Sequence, residues 1–176
     1  MKHTEPSMRR LWNTSSHRIG SSLLMAVLTL CGLAAPAAAG DQVSFTAVGT
    51  AVITGVTHLP GGLTQRDGSI TGTATHLGNV TGPVTRIEDN QGNFSTTTVL
   101  ISANGKDSVF LAISGHFEGT HGSCSVLTST GTYTVTGGTG AFVNATGSGT
   151  ITTEIDECAG TATGTYTGTI SQPHSG

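Results

Sequence analysis

Charge is scarce in this chain: Asp, Glu, Lys and Arg make up 10% of its 176 residues, against about a quarter in an ordinary globular domain. Aromatic residues are few as well, at 5%. The low charge argues against intrinsic disorder, which couples low hydrophobicity to high net charge. A formal charge of −3 with no basic run excludes the electrostatic footprint of a nucleic-acid binder. No nucleophile elbow, phosphate-cradling glycine loop or Cys-x-x-Cys pair occurs, which removes the commonest hydrolase, nucleotide-binding and redox readings. Glycine, in contrast, is abundant, with 26 residues, and its placement carries much of the information.

The one long apolar run lies near the start. Lys2, Arg9, Arg10 and Arg18 precede a stretch from Leu23 to Ala35, and Ala37-Ala38-Ala39 follows, the three-part pattern of a secretory signal peptide over residues 1–39. A membrane anchor would need ~20 apolar residues, and this run ends sooner, at Pro36. Residues 40–176 are then expected as one exported domain of roughly 137 residues, enough for a single core. That domain keeps Arg66, Arg86 and Lys106 against nine carboxylates, a formal charge of −6. Such acidity disfavours nucleic acid and anionic membrane surfaces as partners. Cys124 and Cys158 remain as a pair, and in an oxidising extracellular or periplasmic compartment a disulfide between them is expected.

No segment after Gly40 shows a helical period; β-branched residues alternate with small ones in short runs bounded by turn residues. The pattern predicts an all-β chain with strands over 43–57, 69–77, 79–88, 94–103, 108–117, 124–136, 146–156 and 159–171. In the last of these, Thr161, Thr163, Thr165, Thr167 and Thr169 share one face, opposite Ala162, Gly164, Tyr166, Gly168 and Ile170. Segments 124–136 and 146–156 repeat the division. Threonine tolerates water, so its face is expected outside and the Gly/Ala/Ile/Tyr face inside. Glycine weakens strand interiors, and strong coiling in a small closed barrel gives it a geometric purpose there. An eight-stranded antiparallel β-barrel is the expected fold, with a β-sandwich as the alternative.

The stretch from Gly131 to Gly147, with Gly137-Gly138-Thr139-Gly140 followed by Phe142, Ala145 and Gly147, resembles the strand–turn–strand signature of the allene oxide cyclase and dirigent barrels. Thr75-His76-Leu77-Gly78 is similar to a His-Leu-Gly element of secreted bacterial proteins with that domain. The resemblance implies a barrel with a central cavity, often in homo-oligomers such as trimers. It also implies chemistry without a metal or organic cofactor, in which reactive small molecules are held in one conformation. The catalytic acids and arginines of the plant branches find no residue-by-residue match in this chain, and fold alone does not transfer function.

Three polar residues fall on the face expected to point inward: His76, by parity with Ile70, Gly72 and Ala74, and Tyr133 and Tyr166. A cavity histidine can serve as an acid or base, although a hydrogen-bonded core histidine near a strand end is the commoner role. The tyrosines can polarise a ligand oxygen or simply fill the core. Leu127, Tyr133, Ile151 and Tyr166 are the expected lining of a ligand site. Arg86 and Glu88 read as an ion pair at the barrel rim. His116, Glu118 and His121 fall short of a defined three- or four-ligand zinc set, so no metal is expected. Two functions follow from the sequence: a secreted barrel binding a small, largely apolar molecule in its lumen, as carrier or cofactor-free cyclase or isomerase, or a non-catalytic extracellular protein acting through its threonine-rich exterior.

Overall fold

The computed structural model describes residues 41–119, 122, 124–171 and 173; the expected leader and His121 lie outside them. Eight strands follow one another: β1 (Gln42–Leu59), β2 (Leu63–Ala74), β3 (Gly78–Glu88), β4 (Asn93–Ser102), β5 (Ser108–Glu118), β6 (Val126–Thr139), β7 (Gly147–Asp156) and β8 (Thr161–Ser171). Each pairs antiparallel with the next, and β1 pairs with β8, so the sheet closes into a barrel. Closure excludes the sandwich alternative and leaves no long strand edge open to intermolecular pairing.

Period-2 alternation sets what faces where. On β6 the residues Thr128, Thr130, Thr132, Thr134 and Thr136 are exposed, while Leu127, Ser129, Tyr133 and Val135 are buried. The same division holds on β7 and β8. The threonines also align between strands: Thr132 stands opposite Thr150, Thr150 opposite Thr167, and Thr167 opposite Thr46. The outer rows are therefore continuous from β6 round to β1.

Glycine on the inner face lets neighbouring backbones approach. A Cβ at Gly82 would lie 1.7 Å from the Val99 carbonyl oxygen on β4, a separation no side chain accommodates. Tight coiling at that point on β3 thus depends on glycine.

The two ends differ. At one, Gly137 (φ 140°) and Gly140 (φ 61°) take conformations that L side chains rarely adopt, and a short 3₁₀ turn, Gly140–Phe142, delivers Phe142 into the core. Ala141 N–H donates to Asp107 Oδ1 at 2.9 Å, fastening this corner to the β4–β5 turn. The aromatic side chain closes that end. At the opposite end stand the β1–β2, β3–β4, β5–β6 and β7–β8 connections. There Cys124 and Cys158 are disulfide-bonded, tying the β5–β6 connection to the β7–β8 hairpin. Glu157 adds to the tie, its Oε2 accepting from Ser125 Oγ and from Gly122 N–H.

Candidate functional site

The lumen has a filled half and an open half. In the filled half the Tyr133 ring packs edge-on against Phe45 and Tyr166, with centroids 5.9 Å apart in both cases. It lies over a floor of two glycines paired in register, Gly149 and Gly168. A Cβ on Gly149 would come within 2.6 Å of Tyr133 Cε1, and one on Gly168 within 2.6 Å of its hydroxyl oxygen. The space those glycines create is therefore taken up by the tyrosine ring.

Towards the disulfide end the small residues border a cavity, although a Cβ on Gly49 would meet Ile70 Cδ1 at 2.9 Å. Gly49 pairs with Gly164 and Ala51 with Ala162 across β1 and β8, and all four line a cavity of about 60 Å3 with Ile70, Phe94, Ile113, Phe117, Ile151 and Tyr166 on its other walls. A second hollow of about 230 Å3 shares Ile53, Arg86 and Ala162 with the first and forms the mouth. Together the two fall just short of the ~300 Å3 at which small-molecule pockets begin. A slim or compact molecule fits this space; a large polycyclic one does not fit without movement of the walls.

The mouth carries the lumen's charge. Arg66 on β2 and Arg86 on β3 are register partners, both on the inner face. Between them sits Glu88, 6% exposed, receiving Arg66 Nε on Oε1 at 2.7 Å and Arg86 Nη2 beside Oε2 at 3.0 Å. The Arg86 guanidinium also lies 4.9 Å above the Phe117 ring. Burial lowers the pKa of Arg86, partly offset by the charge of Glu88. Neither buried Arg86 Nε nor Glu88 Oε2 has a partner in hydrogen-bonding geometry among the described residues, so the second contact is an ion pair rather than an aligned hydrogen bond.

The expected Arg86–Glu88 ion pair is present, but it is more buried than a rim pair and has a third member. Arg86 and Glu88 form a mostly buried bridge that includes Arg66. Arg66 lies ahead of the strand start expected at residue 69; β2 begins at Leu63, which brings Arg66 opposite Arg86.

His76 is corrected. β2 ends at Ala74, and His76 follows in a turn with φ 68°, exposed, its Nε2 3.2 Å from the Ser44 carbonyl oxygen. The positive φ breaks the strand parity that assigned it inward. Of the expected lining residues, Ile151 and Tyr166 face the cavity, whereas Leu127 and Tyr133 are buried in the packed core outside it. Thr96, Ser129 and Thr153 add hydroxyls to the cavity wall. Strand parity on β4 and β6 was the available signal for the first two.

Burial pushes the Tyr166 phenol up to about 12 and raises Tyr133 as well. At neutral pH both are therefore hydrogen-bond donors and not bases. The Tyr133 hydroxyl is buried without a partner among the described residues. His116, exposed, is paired through Nδ1 with Asn93 Oδ1 at 3.2 Å, and Glu118 is exposed. No group of three His, Cys, Asp or Glu residues able to hold a metal occurs among the described residues.

Neither a protein-family model nor a curated protein matches the chain. Among solved structures, that of the pterocarpan synthase dirigent protein is similar, with a TM-score of 0.54 and 14% identity, covering 76% of this chain and 92% of that one. The likeness is one of fold: this chain forms a dirigent-like barrel.

Proposed function

We propose that this chain is an exported small-molecule barrel, related in its manner of working to the dirigent and allene oxide cyclase proteins, that holds one compact and largely apolar molecule in the half of its lumen next to the disulfide. The observation that carries this reading is the unequal filling of the lumen. Gly149 and Gly168 accommodate the Tyr133 ring and Gly49 the Ile70 side chain, whereas Ala51, Ala162 and Gly164 border open space. Apolar walls with a few polar groups at one end are the usual composition of a ligand site. The Cys124–Cys158 bridge supports export, since such bonds persist in oxidising compartments.

Holding a reactive molecule in one conformation is the catalytic device such a site can offer without a cofactor. Tyr166, protonated at neutral pH, supplies a donor to a ligand oxygen, and Arg66 and Arg86 stabilise negative charge at the mouth. The test is a thermal-shift screen of the purified protein against compact apolar metabolites, repeated with Gly164→Leu. Ligands that raise the melting temperature of the native protein and lose that effect in the variant support the lumen. A screen in which every shift survives Gly164→Leu sinks it.

The aligned rows Thr132–Thr150–Thr167–Thr46, with Val48 and Val52 exposed on the same face of β1, favour a second reading, a non-catalytic extracellular protein acting through its exterior. Thr163→Lys with Thr165→Lys would abolish such a surface activity and leave binding in the lumen unchanged.

A further inference from the structure

We infer that the barrel mouth receives the carboxylate of a compact monocarboxylic acid on the guanidinium of Arg66, with Arg86 behind it, while the acid's apolar body passes into the open half of the lumen. This inference rests on the small-molecule reading above and specifies the ligand's chemical class.

Two arginines placed directly opposite each other on adjacent strands repel. Glu88 supplies one negative charge between the two positive ones, and Glu157 adds a weaker charge interaction with Arg86 from the same mouth. Arg66 is fixed to Glu88 through Nε alone. Its terminal nitrogens have no partner among the described residues, and the side chain lines the 230 Å3 mouth. A guanidinium held from one edge presents a planar fork of donors, the geometry that carboxylates engage with two parallel hydrogen bonds. The buried, unpartnered Nε of Arg86 is a second unmet donor in the same cluster.

Two carboxylates also line the mouth, and they restrict the ligand. Asp156 Oδ1 accepts from Ala159 N–H at 2.9 Å, and Glu157 Oε2 is engaged by Ser125 and Gly122. Both are turned to backbone and loop partners, yet their charge persists. An anion entering this ring gains from the Arg66 fork at short range and is repelled at longer range, a balance that tolerates one negative charge and opposes two. The inner cavity is narrow and apolar, lined by Ile70, Ile113, Ile151 and Phe94. It takes a short chain or one edge of a ring.

Isothermal titration of the intact protein at pH 7.5 tests this, using hexanoate and 3-phenylpropanoate beside hexanamide and 3-phenylpropanamide, with succinate as the dianion. The acids are expected to bind at least about tenfold tighter than their amides, the increment of one charge-assisted contact, and succinate is expected not to bind. Arg66→Gln should erase the acid preference, lowering acid affinity far more than amide affinity, and Arg66→Lys should restore part of it. Equal affinity of acids and amides in the native protein overturns the carboxylate inference and leaves the lumen reading standing. Binding of neither series overturns both. An acid preference that persists in folded Arg66→Gln overturns the assignment to Arg66.

Discussion

Arg66 and Arg86 face one another across β2 and β3 inside the barrel, and Glu88 bridges them at 2.7 and 3.0 Å. The arrangement makes Glu88 the keystone of a mostly buried charge cluster. Removing one member of a buried ion pair leaves an uncompensated charge and costs about 3–5 kcal/mol. Glu88→Gln strands two like charges in direct opposition, so a loss in this range is expected. Arg66→Gln costs less, because Arg86 still neutralises Glu88. Urea unfolding of the two variants checks the order; equal losses would show that the cluster does not act as a bridge.

Gly164 offers a clean way to narrow the lumen. A Cβ there would lie 3.5 Å from Ile151 Cδ1 and 3.6 Å from Tyr166 Cε2, ordinary contact distances. Gly164→Ala therefore fits without strain and is expected to stabilise the strand by about 0.5–1 kcal/mol, while taking a methyl's worth of space from the 60 Å3 cavity. Rising melting temperature together with weakened ligand binding is the expected pair of results. The contrasting substitution is Gly149→Ala, which places a methyl 2.6 Å from Tyr133 Cε1 and should destabilise.

The strand count, the outward threonine face and the disulfide partners were legible in the sequence because each rests on local alternation or on a lone cysteine pair. The mouth was not. Thr64-Gln65-Arg66-Asp67 is polar on both faces, so nothing in its pattern marks it as strand, and the inward direction of Arg66 emerges only from its pairing with Arg86. His76 failed for the opposite reason. Its parity matches Ile70 and Ala74, but the chain turns after Ala74. Inward glycine is ambiguous in a sequence, since it marks missing volume without saying whether a neighbour fills it. Gly149 and Gly164 belong to the same face, and only packing separates the occupied site from the open one.

The disulfide joins residues 34 apart in sequence. A loop of that length gives about 3–4 kcal/mol in the chain-entropy account. Cys124→Ser with Cys158→Ser is expected to lower stability by that amount, and a reductant should do the same to the native protein. The β5–β6 connection beside the mouth should then lose amide-exchange protection before the threonine-faced strands do. Simultaneous loss of protection throughout the barrel would contradict a clamp confined to that end.

Both tyrosines of the chain are buried, at 1% exposure for Tyr133 and 5% for Tyr166, and burial of Tyr166 makes stability depend on pH in the alkaline range. In the unfolded chain each phenol ionises near its ordinary value of about 10, whereas Tyr166 in the barrel ionises at about 12. Between those values the unfolded state has released a proton that the native state retains, so stability falls as pH rises through the window and is undiminished below it. Two units correspond to about 3 kcal/mol for Tyr166. In Tyr133→Phe, which leaves Tyr166 as the sole phenol, absorbance near 295 nm should therefore stay low at pH 10–11 while the protein is folded and rise with unfolding, and Tyr166→Phe should remove about that much of the alkaline loss. A phenol titrating near pH 10 in that folded variant would place the Tyr166 hydroxyl in contact with water and contradict its burial.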